Sequence, residues 1–123
     1  MRQPECRLLV ADDDFAVRES FRLAFTALGF TVRTAEDGER ALAVLRDGYV
    51  ANIIILDLMM PIVSGWEFLE EKAKDETLRK IPVLLMTAFD HGNAPFGNVV
   101  ATFRKPADMR KLVQMIESLA PAS

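Results

Sequence analysis

Three apolar runs in this chain stop at groups able to do chemistry. RLLVA, residues 7–11, runs into Asp12, Asp13 and Asp14; IIIL, residues 53–56, stops at Asp57 before Leu58, Met59 and Met60 resume; LLM, residues 84–86, stops at Thr87. A further stretch, VVATF at 99–103, leads into Lys105 and Pro106. A stray surface aspartate would sit among polar residues. Asp57 instead closes a β-branched run of the kind that fills a strand buried on both faces. If these ends converge, carboxylates, a hydroxyl and an amine share one edge. Two carboxylates about 4 Å apart repel by roughly 4 kcal/mol at an effective dielectric of about 20. An ammonium and a hard divalent cation taking oxygen ligands, such as Mg2+, offset that repulsion. A carboxylate held in this way is a candidate nucleophile toward phosphorus. The cation and Lys105 would neutralise charge on the phosphoryl oxygens, and the Thr87 hydroxyl could donate to one of them.

The elements that must position these groups alternate along the chain. FAVRESFRLAFTALGF, residues 15–30, spaces Val17, Phe21, Ala24, Phe25 and Leu28 as one helical face, with Gly29 as its stop. TVRTA, 31–35, alternates as a strand with one wet face, and 38–48 reads as a second helix with Leu42 and Leu45 inward. ANIIILD, 51–57, and PVLLMTA, 82–88, read as doubly buried strands, with a loop at 61–65 and a third helix, WEFLEEKAKD, between them. VVATF is a fifth strand, and the last segment puts Met109, Leu112, Ile116 and Leu119 on one helical face. Repeated βα alternation predicts an α/β fold, a parallel sheet covered by helices on both faces. Ligands in such folds bind outside the carboxyl ends of the strands, which is where Asp12, Asp13, Asp57, Thr87 and Lys105 fall.

Bulk properties narrow the class. A chain of 123 residues suits one domain, here 1–123 with its core at about 7–119, and half of its residues are hydrophobic. The net charge of −3 lacks the basic footprint of a nucleic-acid binder. Cys6 has no partner for an internal disulfide, MRQPECR is too short and polar for a signal peptide, and no apolar run reaches the roughly 20 residues of a membrane span. These features predict a soluble cytoplasmic domain with no membrane partner.

The chain resembles a receiver domain of a bacterial two-component response regulator, in its stand-alone, single-domain form. LLVADDD, IIILDLMMPIVSG around Asp57, LLMTA and RKP carry the resemblance, which covers about 7–119. It implies a flavodoxin-like doubly wound sheet of five parallel strands in the order 2-1-3-4-5. It implies that Asp57 is the phosphoacceptor and that Asp12, Asp13, Asp57 and the backbone carbonyl of Met59 bind Mg2+. Thr87 is then the switch hydroxyl and Lys105 the lysine that pairs with the phosphate, with a cis Lys105–Pro106 bond. The implied donor is a phosphohistidine on a histidine kinase or histidine phosphotransfer protein, and the output is binding of a downstream protein by a monomer or weak dimer. The resemblance thus implies a signalling phosphoacceptor rather than an enzyme. A pseudo-receiver that binds proteins without phosphorylation is the alternative. The Asp12-x-Asp14 pattern also suits a haloacid-dehalogenase-like phosphatase, which leaves the DLMMP motif unexplained.

Three departures from the family pattern stand out. FDHGNAPFGN, 89–98, carries Gly92, Pro95 and Gly97, all poor in a helix interior, so the fourth helix is expected to be short, missing or replaced by a mobile loop. Thr102 occupies the position that is aromatic in relatives, and Phe103 should point to the other face of its strand. Met59 and Phe89 are apolar where the family tunes water access to the phosphoryl group, which predicts slow self-dephosphorylation. Asp14 is expected to cap a helix, Cys6 to be partly buried, the methionines to fill the core and His91 to be exposed.

Overall fold

A computed structural model describes residues 5–88 and 98–120. Strands β1 (Arg7–Ala11), β2 (Thr31–Ala35), β3 (Ile53–Asp57), β4 (Val83–Thr87) and β5 (Val99–Arg104) alternate with helices α1 (Phe15–Ala27), α2 (Gly38–Arg46), α3 (Gly65–Lys74) and α4 (Met109–Leu119). All pairs are parallel and the order is β2-β1-β3-β4-β5, so the chain reverses its direction of travel across the sheet between β1 and β3. That switch point sets Asp12 beside Asp57, because Ala11 pairs with Leu56. Both central strands, β3 and β4, are buried at every residue, as their unbroken apolar runs require.

The two faces of the sheet bury separate clusters. On one, Leu9, Ile54, Leu56, Leu58 and Leu85 pack under α2 and α3, with Leu42, Leu45, Phe68 and Leu69 inward. On the other, Leu8, Val10, Ile53, Ile55, Leu84 and Met86 meet Phe21 and Phe25 of α1 and Leu112 and Ile116 of α4. Asp14 caps α1 as expected, accepting from the backbone N–H groups of Ala16 and Val17. Ser64 and Glu67 form a reciprocal capping box at α3.

Several details differ from the expectations. Leu28, placed on the inner face of the first helix, is 58% exposed, because α1 ends at Ala27 and Leu28 is only its C-cap. Gly29 then turns the chain at φ 98°, a conformation open to glycine. Cys6 is fully rather than partly buried, and Met59 is exposed while Met60 and Met86 are core. Lys72, in the polar-looking WEFLEEKAKD helix, is completely buried, its Nζ donating to the Arg79 carbonyl at 3.1 Å. Burial pulls this ammonium down to about 8 from 10.5.

Among the described residues there are four helices, none of them between β4 and β5. The expectation for 89–98, and those for Phe89 and His91, fall on 89–97, outside the described residues. A bulge at Val100 of β5, opposite Val83 and Leu84 of β4, sets Ala101 opposite Leu84, Thr102 opposite Leu85 and Phe103 opposite Met86. Phe103 therefore joins the α1/α4 cluster while Thr102 is exposed, as the alternation predicts. Among the described residues no helix is long and apolar enough to cross a membrane.

Candidate functional site

The site is assembled from four strand ends. β1 delivers Asp12, whose N–H donates to Ala35 O at 3.0 Å, so the chain still follows the sheet there. Asp12 is completely buried and Asp13 is exposed. Asp12 Oδ1 accepts from the Asp14 N–H at 2.9 Å, and its carbonyl accepts from Arg18 Nη1 at 2.8 Å. Arg18 was not anticipated from the sequence; its only signal is a position one helical turn beyond the Asp14 cap.

Asp57 ends β3 with 3% of its surface exposed. Its Oδ1 accepts from the Met59 N–H at 3.1 Å. Lys105 comes from beyond β5, held there by its own N–H donating to Thr87 O at 2.8 Å. Its Nζ lies 2.7 Å from Asp12 Oδ2 and 3.1 Å from Asp57 Oδ2, tying the two carboxylates together. Thr87 is buried at the end of β4, and the Lys105–Pro106 bond is cis. Each residue expected at the site therefore lies on this edge. Met59 does so through its N–H on Asp57 and an exposed side chain.

Carboxylate oxygens of Asp12, Asp13 and Asp57 all lie within 4.8 Å of one another. Three carboxylates against one ammonium leave an excess of negative charge that a single divalent cation would balance. All three donors are hard oxygens, which suits Mg2+ or a similar ion and not a soft thiophilic metal. Burial raises the Asp57 carboxyl above its ordinary value. The Met59 N–H and Lys105 counter that rise, and the Asp12 charge adds to it. Burial pulls the Lys105 ammonium down, but its bonds to Asp12 and Asp57 outweigh this and hold it above the usual lysine range.

The connection from β3 to α3 is set against Asp57 by close backbone approach. A β-carbon on Gly65 would sit 2.6 Å from both the Asp57 carbonyl oxygen and Leu58 Cα. The Gly65 N–H donates to Leu58 O at 3.0 Å, closing the loop. Further along, the Gly38 N–H donates to Val63 O at 2.8 Å, and a β-carbon on Gly38 would meet that oxygen at 2.5 Å. Between these two fastenings Ile62 adopts φ 66°. For a β-branched residue this left-handed conformation costs about 1–3 kcal/mol.

A family profile described as the response regulator receiver domain matches residues 8–117. The chain is 38% identical over 84 residues to the response regulator MprA of Mycobacterium sp. (strain KMS), covering 68% of this chain and 35% of that protein. It is 33% identical over 88 residues to the probable transcriptional regulator ycf27 of Pyropia yezoensis, covering 72% and 35%. The chain thus spans about a third of the length of these curated relatives. The structure of the response regulator protein TrrA of Thermotoga maritima in complex with Mg(2+)-BeF matches with a TM-score of 0.80 at 28% identity, over 93% of this chain and 98% of that one. The chemotaxis protein CheY4 of Vibrio cholerae shares the fold, with a TM-score of 0.81 at 23% identity over 94% and 99%.

Proposed function

The chain belongs to the response regulator receiver domain family, and we propose that it works as a cytoplasmic phosphoacceptor module. In this reading it accepts a phosphoryl group onto Asp57 from a phosphohistidine of a histidine kinase or histidine phosphotransfer protein. It then signals by binding a downstream protein rather than by turning over a substrate. The observation that carries the reading is the Lys105 ammonium bridging Asp12 and Asp57 at 2.7 and 3.1 Å, within a cluster of three carboxylates.

An Asp57 carboxylate oxygen attacks phosphorus; a P–O bond forms and the P–N bond to the histidine ring breaks. The electron pair of the broken bond stays on the ring nitrogen, which takes up a proton. Lys105 moves its hydrogen bond from Asp57 to a phosphoryl oxygen, while its contact to Asp12 keeps it in place. The Thr87 hydroxyl, at the next strand end, donates to another phosphoryl oxygen. Arg18 and the Asp14 N–H hold the loop that presents Asp12 and Asp13. Asp12, Asp13, Asp57 and the Met59 backbone carbonyl would hold a Mg2+ ion, which when bound supplies positive charge beside the transferring group. The donor set fits that ion, and the similar TrrA was solved with Mg(2+)-BeF.

The test is intact-mass spectrometry after incubation with acetyl phosphate and Mg2+, with wild type and Asp57→Asn side by side and a chelator control. The expected result is a metal-dependent phosphoryl adduct on wild type alone. An adduct that persists in Asp57→Asn would assign the nucleophile elsewhere. A correctly folded wild type that takes no phosphoryl group from acetyl phosphate or from a phosphohistidine protein would overturn the reading.

A further inference from the structure

The loop between β3 and α3 is tied at both ends and near its middle. At its start the Met59 N–H donates to Asp57 Oδ1 at 3.1 Å, so the segment is held by the carboxylate that closes β3. At its end the Gly65 N–H donates to Leu58 O at 3.0 Å, and the Ser64–Glu67 capping box fixes the first turn of α3. Between these ties the Val63 carbonyl accepts the Gly38 N–H at 2.8 Å, and Gly38 is the first residue of α2. Met60 is buried in the same cluster as Ala41, Leu42 and Leu45 of that helix. The start of α2 therefore rests on a segment whose other end is bonded to Asp57. Ile62 lies within this span at φ 66° and is 72% exposed, so no burial compensates for a conformation that β-branched residues rarely adopt. A strained residue persists only while its surroundings hold it, and the holders here are these ties.

We propose that this loop is a strained coupling that carries the chemical state of Asp57 to the start of α2. A hydrogen bond to an ionised carboxylate is about twice as strong as one to a neutral oxygen. Once Asp57 is phosphorylated, one of its oxygens is bonded to phosphorus and the other is a neutral carbonyl. The Met59 N–H has then lost its charged acceptor, and the tie at the head of the loop weakens. The adverse backbone of Ile62 drives the relaxation that follows. Gly65 stays in place, packed against the Asp57 and Leu58 backbone, so the change falls on 59–64. Val63 O releases the Gly38 N–H, and the first turn of α2 is freed. Val63 lines the groove between α2 and α3 together with Glu39, Leu42 and Glu67, so the surface there changes with it. The inference rests on Asp57 being the phosphoacceptor.

The experiment follows the Gly38 amide by nitrogen-15 NMR, through its hydrogen-exchange rate, in wild type, Ile62→Gly and Ile62→Asn. Each protein is measured without ligand, with Mg2+ alone, and with Mg2+ plus beryllofluoride, which stands in for a phosphoryl group on a carboxylate. Glycine and asparagine both tolerate the left-handed region, so each variant keeps the resting loop and removes its strain. Beryllofluoride should speed exchange of the Gly38 amide about tenfold in wild type and less than about twofold in Ile62→Gly, with Ile62→Asn between them. By reciprocity, a stabilised resting loop should weaken beryllofluoride binding to Ile62→Gly about fivefold, followed by Trp66 fluorescence. Unchanged or slower Gly38 exchange in wild type on adding beryllofluoride would overturn the proposal. Equal acceleration in wild type and Ile62→Gly would also overturn it, since strain would then not be the drive. Acceleration already complete with Mg2+ alone would assign the trigger to the ion and sink it too. A wild type that takes a phosphoryl group from acetyl phosphate yet leaves the Gly38 amide unmoved defeats the coupling alone. Failure of both acetyl phosphate and beryllofluoride on wild type would instead strike the phosphoacceptor reading, and the coupling with it.

Discussion

Replacing Lys72 by methionine should make the protein more stable near neutral pH, even though it deletes a hydrogen bond. Lys72 is fully buried, its Nζ bonds to the Arg79 carbonyl, and burial has brought its pKa to about 8 from 10.5. The gap of about 2.5 pH units, at about 1.36 kcal/mol each, amounts to about 3 kcal/mol against the folded state whenever the ammonium is charged. Methionine fills similar space without charge but leaves the Arg79 carbonyl without this partner, at a cost of about 1 kcal/mol. The net expectation is a gain of about 2 kcal/mol. In the wild type, between about pH 8 and 10.5, the folded lysine is neutral while the unfolded one still binds its proton. The unfolded state then holds more protons, so this group makes stability rise with pH across that window. Tyr49 and Cys6 act in the opposite sense, because burial raises both and the unfolded state ionises first; Tyr49 is held at about 12 against 10.0. Subtracting the variant's curve from the wild type's cancels them. The assay is urea unfolding followed by the fluorescence of Trp66, the single tryptophan, which packs against the core, at a series of pH values. The gap between the two proteins should be largest near neutral pH and close by about 2–3 kcal/mol as pH approaches the unfolded lysine's value. A gap that stays flat with pH, or a variant less stable near neutrality, would refute the reasoning.

Two other expectations bear on the site. Gly65→Ala forces a β-carbon against Asp57 O and Leu58 Cα, backbone atoms with no room to yield. It should lower stability by about 1–3 kcal/mol and slow labelling by acetyl phosphate, checked by urea unfolding and intact mass; wild-type values in both would mean that the loop is not held where the contact puts it. Met59→Asn sets a polar side chain at an exposed position two residues past Asp57, and it should shorten the lifetime of the phosphorylated protein several-fold. Decay followed by intact mass after removal of the donor measures this, and an unchanged or longer lifetime counts against control of water access by Met59.

The β3 and β4 strands and the inward residues of α2 and α4 were legible because burial on two faces, or on one helical stripe, leaves a period that local sequence carries. The carboxylates were legible for the same reason: an acid that ends a buried run has to face the open end of the sheet. The order of the strands came only by resemblance, since period alone says which residues are inside and not which strand lies beside which. The adjacent Asp12 and Asp13 look alike in sequence, yet one is buried and the other exposed. That difference follows from opposite side-chain directions at successive positions of a chain still bonded to Ala35. The Lys105 bridge spans partners 93 and 48 residues away, so its distances depend on sheet order and register and on no local pattern. Lys72 sits in a charged helix, and only the structure shows it fully buried with its Nζ on the Arg79 carbonyl. Ile62 reads as an ordinary loop residue, and its left-handed backbone appears only once Gly38 and Gly65 fasten the loop from either side. The sequence by itself determined which groups could share an edge, because burial periodicity is local. Tertiary structure alone decided which of them touch, which stay wet and where the backbone is held under strain, because those depend on contacts between segments far apart in the chain.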